Sequence, residues 1–398
     1  MTDAVWITPA YPWTDEPVAG IFFQTQARAL VRLGCSTTVV CPTPFAPWPL
    51  PLIRPRWRRY ADAPRLETDQ GVVVARPGYV NVPGEPTRAM PDRFIARAAW
   101  RARSSWTGAS IVHGHTAVTG LAAWRLARKA NLPHVLTFHG SDMNTWPDAH
   151  PERRDDLRTA ARSAAAVFAV SQALADRVEE VTGVAATHLP IGSHHAALAA
   201  LRQPRERARA ALGLPRDRTV VLFVGNLLPA KGVRELADAI GSLGEPFLGV
   251  FVGSGPESGH GRADPRHASL LEYRGAVPHA DVSTYMSAAD VLVLPSHREG
   301  LPTVLVEAGS LGLPVIASAV GGIPELLGGD RGTLLPDTSA PSIAAALRAF
   351  AADRPAADLA ADRLRAHVLR DYDVDTNAAR LIEAYRTATS GRDAGTDR

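Results

Sequence analysis

The chain has 398 residues, more than one ordinary domain holds, and at roughly 100–200 residues per domain two compact units are expected. Apolar residues make up 46% and charged ones 21%, so each half can bury a core and a globally disordered chain is excluded. A formal net charge of +3 is far from the dense basic stripe of a nucleic-acid binder, and two cysteines, Cys35 and Cys41, cannot build a disulfide framework or a cysteine-rich zinc site. A reduced, cytoplasmic setting is therefore expected. The first residues show no basic stretch followed by an apolar one, so no signal peptide is read, and no run approaches the ~18 apolar residues of a membrane span. Only Lys129 and Lys231 are lysines among 43 basic residues, which singles both out.

In the first half, residues 4–8, 37–40, 110–113, 135–138 and 165–170 read as buried strands, with helical periodicity over 22–33, 120–130 and 172–181. Around 194–218 the pattern dissolves into His, Ala, Arg and Pro, which reads as an interdomain linker leading into a short helix. A second series follows, with strands at 220–224, 247–252, 271–273, 291–294 and 315–317 and helices near 233–243, 282–288, 302–311 and 340–351. An amphipathic tail covers 376–387, with Asp373 and Asp375 as N-cap candidates. Strands with continuous apolar runs alternating with helices mean parallel sheets covered on both faces: the fold class is α/β, two Rossmann-like doubly wound domains facing across a cleft. The expected boundaries are an N-terminal domain at 1–195, a C-terminal domain at 196–375 and a tail at 376–398 packing back on the first domain.

The most informative segment is Ser296-His-Arg-Glu-Gly-Leu-Pro-Thr-Val-Leu-Val-Glu-Ala-Gly. Glu299 falls in a loop after a strand and Glu307 eight residues on, in the helix that opens near Pro302. A strand, a glycine-containing turn and a helix N-terminus form an anion site from free N–H groups and the helix dipole. The two carboxylates suit the many hydroxyl donors of sugar and ribose; by themselves they read equally as solvated glutamates. Lys231, in Val224-Gly-Asn-Leu-Leu-Pro-Ala-Lys-Gly, stands just before a helix, where an ammonium can neutralise a diphosphate or simply face water. Gly321-Gly-Ile-Pro-Glu325 adds a turn shaped for close backbone approach.

Together these residues resemble the nucleotide-sugar-binding half of retaining glycosyltransferases of family 4, with the GT-B fold. The family's Glu-x7-Glu motif matches Glu299 and Glu307. Its Gly-Arg-x4-Lys-Gly loop matches residues 225–232, except that Asn226 stands where arginine is usual. The run from Val277 to Ser296 is also similar. In the first half, Ala19-Gly-Ile-Phe and Gln26-Ala-Arg-Ala-Leu resemble the loop and helix facing the donor diphosphate, and Thr137-Phe-His-Gly-Ser-Asp142 resembles the family's histidine loop. Within the family the likeness is to the teichuronic-acid type, which shares Val-Gly-Asn-Leu.

The resemblance implies a donor site in which Glu307 binds ribose hydroxyls and Glu299 the donor sugar. Backbone amides over Gly300, Leu301, Pro302, Thr303 and Val304 would hold hydroxyls and phosphate, with Asn226 in the phosphate loop. Lys231, helped by the Gly20 N–H, would offset the diphosphate charge, and His139 would sit at the reacting centre. The donor is then a nucleotide diphosphate-sugar and no cofactor is expected. The acceptor is a small molecule or a lipid-linked glycan. A nucleotide-sugar 2-epimerase of the same fold, or a non-catalytic nucleotide-sugar-binding subunit, stand as alternatives.

No metal is expected, because no Asp-x-Asp follows a strand in the first half. His113, His115, His194 and His195 lack zinc-type partner spacing and read as structural or acceptor-side. Asp371, Asp373 and Asp375 mimic part of a calcium loop without its glycine and terminal glutamate, so helix capping is the reading there. Residues 45–60 interleave aromatics with arginines and suit peripheral membrane contact, an anionic acceptor or a plain surface loop.

Overall fold

The computed structural model describes residues 3–45, 48–49, 52, 55–79, 91–262 and 264–393. Two compact units form: one from the chain up to Ile191 together with the segment from Val374 onward, the other from Gly192–Asp373.

The first unit contains β1 (Asp3–Ile7), β2 (Ser36–Val40), β3 (Thr43–Pro44), β4 (Leu66–Asp69), β5 (Val72–Ala75), β6 (Gly78–Tyr79), β7 (Ile111–His115), β8 (His134–Phe138), β9 (Ala166–Ala169) and β10 (Thr187–His188). Eight of these make one sheet in the order β10-β9-β8-β7-β1-β2-β5-β4, while β3 and β6 pair separately. Every pairing in the large sheet is parallel except the antiparallel β4–β5 edge. The second unit holds β11 (Thr219–Val224), β12 (Phe247–Val252), β13 (Leu271–Gly275), β14 (Val291–Leu294), β15 (Val315–Ser318) and β16 (Thr333–Leu335), all parallel, in the order β13-β12-β11-β14-β15-β16. Both sheets are doubly wound, as the strand–helix alternation requires. The short β4–β5 pair went unread because its outer strand, Leu66-Glu-Thr-Asp, is half-exposed and barely apolar.

The stretch expected to be a linker is a folded part of the second unit. Helices His195–Leu201 and Arg205–Leu212 pack there, the first through buried His195 against Ser310 and the second because its arginines are anchored. The Arg209 guanidinium donates to Ala288 O at 3.0 Å and to Asp290 Oδ2 at 2.6 Å. Asp290 also receives Val220 N, Arg205 and Arg354, so one buried carboxylate ties four segments together. An arginine-rich string looks solvated until its buried acceptor is known.

Helix Val374–Asp393 returns to the first unit and buries Leu381, Ile382 and Tyr385 against Trp6, Phe23 and Leu30. It starts before Asp375, which lies inside the first turn rather than capping it and pairs with Arg32 at 2.5 Å. Among the described residues no helix is long and apolar enough to cross a membrane. Of the 45–60 segment, positions 46, 47, 50, 51, 53 and 54 lie outside the described residues; Phe45, Trp48 and Leu52 are exposed, at 49%, 82% and 77%.

Because Leu381 is fully buried in the first unit's core, Leu381→Ala is expected to cost ~2–5 kcal/mol, transfer and cavity contributions together. Urea unfolding monitored by circular dichroism checks this; a loss below ~1 kcal/mol would mean that the helix packs only loosely.

Candidate active site

Open α/β sheets offer a crevice beyond the carboxyl ends of their strands, where the strand order reverses. In the second unit that point lies between β11 and β14, which pair side by side. The loop after β11 carries Lys231 and the loop after β14 carries Glu299, so adjacency of the two strands brings the side chains together. Lys231 Nζ lies 2.6 Å from Glu299 Oε1, which also accepts from the Ser296 hydroxyl at 2.7 Å. Glu299 is almost enclosed, with 8% of its side chain exposed, whereas Lys231 keeps 27%.

Two glycines let the three loops close on one another. At Gly232, φ is +69° and a Cβ would stand 2.1 Å from the Pro295 carbonyl oxygen. At Gly321, after β15, φ is +55° and a Cβ would stand 2.3 Å from the Glu299 carbonyl oxygen, where the neighbouring Gly322 N donates to Gly300 O at 2.6 Å. Any side chain at either position would push the Lys231–Glu299 loops apart.

Helix Thr303–Leu311 begins directly beyond this turn with Pro302 at its N-cap, and no side chain caps it. The N–H groups of Thr303 and Val304 therefore have no intrahelical acceptor and stand at the positive end of the helix dipole. The side chains of Leu301 and Val304 pack on the core, so polar work at those positions falls to their backbone. Glu307, one turn further along, is buried, and its Oε1 lies 3.1 Å from His279 Nε2 at the start of helix His279–Ala288. The Glu307 carboxylate raises the His279 imidazole above its ordinary range by that hydrogen bond. Asn226 is exposed, and its carbonyl accepts from Leu228 N at 2.9 Å.

In the first unit the order reverses between β1 and β7. Gly20, on the connection after β1, is the N-cap of helix Ile21–Arg32 and no side chain caps that helix end. The rings of Phe22 and Phe23, which follow it, lie 5.2 and 5.0 Å from the ring of His139. His139 follows β8 in a loop held by Asp142, whose carboxylate accepts from His139 N at 3.1 Å and Gly140 N at 2.6 Å. Burial pushes that carboxyl up to about 6 in spite of these bonds.

His113 and His115 alternate on one face of β7 and complete a column of imidazoles. His115 Nδ1 lies 3.0 Å from His139 Nε2, and the His113 and His115 rings stack at 4.0 Å. His113 Nε2 meets Thr137 Oγ1 at 2.7 Å, and its Nδ1 meets the Tyr385 hydroxyl at 2.5 Å. The Tyr385 oxygen also accepts from Trp6 Nε1 at 2.9 Å. Burial lowers His139 to about 3 and His113 and His115 well below their ordinary range, so all three rings are neutral near pH 7.

The expected donor-site residues thus fall into two groups. Lys231, Asn226, Glu299, 300–304 and Glu307 gather at the switch point of the second unit, and Gly20 and His139 at that of the first. Sequence reasoning missed His279 and Asp142 as site residues, although both lie in segments that carry the family resemblance; Asp142 is signalled only by standing three residues after His139, and His279 lies 28 residues from Glu307 with no local signal. His115, read as structural or acceptor-side, bonds the His139 ring directly. His195, by contrast, is buried against Ser310 Oγ at 2.7 Å, and His194 caps its own helix by accepting from Ala197 N at 3.2 Å. No three His, Cys, Asp or Glu side chains come together as a metal-ligand set among the described residues.

Residues 19–191 match the family model Glycosyltransferase Family 4, and residues 204–366 match Glycosyl transferases group 1. A Bacillus subtilis (strain 168) protein bearing the name teichuronic acid biosynthesis glycosyltransferase TuaC is 35% identical over 392 residues, covering 97% of this chain and 98% of its own. Among solved structures, sucrose-phosphate synthase from Thermosynechococcus elongatus superposes with a TM-score of 0.80 at 21% identity, covering 98% of this chain and 100% of that one. The Anabaena protein HepE, in complex with UDP-glucose, superposes with a TM-score of 0.71 at 17% identity, covering 97% and 100%.

The imidazole column makes folding pH-dependent with a defined sign. A ring held neutral by burial takes up a proton in the unfolded chain near pH 6.5 but not in the folded one, so its contribution is complete above that pH and is lost as pH falls toward the lowered values. Asp142 acts in the opposite direction below about 6, as one group against three. The first unit should therefore lose stability on acidification from pH 7 to pH 5, each net proton contributing ~1.4 kcal/mol per pH unit at the acid end. Calorimetric melting across this range tests it; a constant or rising transition temperature would contradict a neutral column.

Proposed function

The chain belongs to the group 1, family 4 glycosyltransferases, and from that premise we propose that it transfers a sugar from a nucleoside diphosphate-sugar to an acceptor hydroxyl with retention of configuration. The observation carrying this reading is the Lys231–Glu299 pair beside the uncapped start of helix Thr303–Leu311, with Glu307 one turn in. A lone ammonium, free N–H groups and a helix dipole are a diphosphate site; two carboxylates around it are acceptors for hydroxyls. The bound UDP-glucose of HepE, a protein of the same fold, is consistent with this class of donor.

In the proposed reaction Glu307 accepts from the ribose hydroxyls. His279, whose Nε2 lies 3.1 Å from Glu307 Oε1, holds that carboxylate in place, and the contact raises the imidazole above its ordinary range. Glu299 fixes Lys231 and accepts from a sugar hydroxyl, while Lys231 and the first-turn amides take the charge that develops on the diphosphate as the anomeric C–O bond breaks. The acceptor oxygen attacks on the face from which the diphosphate leaves, and its proton passes to the departing phosphate oxygen. No carboxylate forms a bond to the sugar. Catalysis is positioning plus charge stabilisation, and it runs without a metal ion.

For the acceptor we propose a lipid-linked glycan met at the inner membrane face, in line with the teichuronic acid biosynthesis named for the Bacillus subtilis relative. The exposed Phe45, Trp48 and Leu52, near the exposed Arg58, suit contact with an anionic lipid surface.

Glu307→Gln and Lys231→Ala should each weaken donor binding by ~1.5–3 kcal/mol, about 10–150-fold, measured by calorimetric titration with UDP, GDP, ADP and dTDP sugars. Unchanged affinity in both variants would remove the site. Turnover should persist in excess EDTA, and proton NMR of the product should show the donor's anomeric configuration; an inverted product would overturn the proposed mechanism. Trp48→Ser with Leu52→Ser should abolish sedimentation with anionic liposomes, and wild-type protein that never sediments would exclude the membrane contact.

A further inference from the structure

The column His139–His115–His113 is more than a packed core. His139 uses Nε2 to meet His115 Nδ1 at 3.0 Å, and Nδ1 makes no hydrogen bond among the described residues. His139 is half-buried, whereas His115 and His113 are fully enclosed. Two neutral rings that face each other nitrogen to nitrogen hold one proton between them; two protons would clash and none would leave two lone pairs opposed. The tautomers of His115 and His139 are therefore set together.

His115 cannot turn to escape this arrangement. Its ring is held by His113 stacked at 4.0 Å, by Trp6 at 4.3 Å and by the Phe23 ring edge-on at 5.0 Å. His115 Nε2 is buried with no hydrogen-bond partner among the described residues, so a charged His115 would have an unmet N–H inside an aromatic wall. Among the described residues the polar groups bonded to the column are Thr137 Oγ1 and the Tyr385 hydroxyl, itself bonded by Trp6 Nε1, all uncharged. The Asp142 carboxylate accepts from the backbone N–H groups of His139 and Gly140. Among the described residues nothing hydrogen-bonded to the rings compensates an imidazolium.

We propose that His115 is a positioning residue that shares one proton with His139 and thereby fixes His139 as a neutral ring, so that His139 meets the donor through Nδ1 with a neutral hydrogen bond and takes no proton in the reaction. This rests on the reading that His139 lies at the donor site. The acceptor's proton then goes to the leaving diphosphate, and His139 contributes orientation.

Two-bond proton–nitrogen correlation spectra of 15N-histidine-labelled protein test the idea, with His139 assigned by loss of its signals in His139→Gln. The free wild-type protein should show His139 in one fixed neutral tautomer from pH 5.5 to pH 8. An imidazolium signature in that range, or two tautomers in exchange, overturns the proposal. His115→Leu should release His139 to titrate or to average its tautomers, lowering kcat ~10-fold with little change in donor affinity, the scale of one lost hydrogen bond. His115→Asn should keep His139 neutral and restore most of kcat, because an amide can place either its N–H or its oxygen where Nδ1 stood. If His139 stays in the same fixed tautomer in His115→Leu, His115 is packing alone and the proposal fails. The spectra need no donor, so absence of turnover by wild-type protein with every nucleotide-sugar would count against the transfer reading and leave the tautomer result standing.

Discussion

One hydroxyl, that of Tyr385, joins three parts of the first unit that are far apart in sequence. It accepts from Trp6 on β1 and meets His113 on β7, while its own helix comes from beyond residue 373. A buried tyrosine needs a partner for its polar end, and this one has two that are themselves buried polar groups. Removing the hydroxyl would leave Trp6 Nε1 and His113 Nδ1 unsatisfied in an apolar wall. The register of the last helix against the sheet is thus set by a polar bond as well as by Leu381 and Ile382, and the histidine column inherits its geometry from that bond.

The second unit solves a similar problem with charge. Asp290, buried just before β14, receives Arg205, Arg209 and Arg354 together with the Val220 amide. Removing one arginine would still leave it two; removing the carboxylate would strand a buried guanidinium at Arg209. This anchor fixes the base of β14 while the Lys231–Glu299 pair lies at its other end. The strand that presents Glu299 is therefore pinned at the end remote from the chemistry, as a preorganised electrostatic site demands.

Much of this was legible in the sequence, and the reasons divide cleanly. Parallel strands with both faces covered are apolar throughout, so nearly every central strand could be read, and a glycine-rich turn before a helix marks itself. Glu299 and Glu307 are legible because their spacing straddles a strand-to-helix turn. The edge strand β4 and the packing of residues 195–212 into the second unit were not, since partly exposed elements are written in polar residues whose partners lie far along the chain, as Asp69 lies 41 positions from Arg28 and Asp290 81 from Arg209. The same distance hides Tyr385 from His113. His115 illustrates a further limit: period-two spacing with His113 puts both on one face of a strand, yet only the neighbouring strand β8 supplies His139 to bond it.

The path of the chain also bears on the order in which the protein is made. The second unit interrupts the first, so a ribosome finishes residues 192–373 before Leu381 and Tyr385 are synthesised. During that interval the second sheet can close on its own core, while the first must wait with the faces of Trp6, Phe23 and Leu30 uncovered. The unit begun first is completed last. A chain cut before Leu381 would leave a fully formed second unit attached to a sheet that lacks one of its covering helices, and the exposed apolar face would make such a fragment a client for chaperones rather than a smaller version of the enzyme.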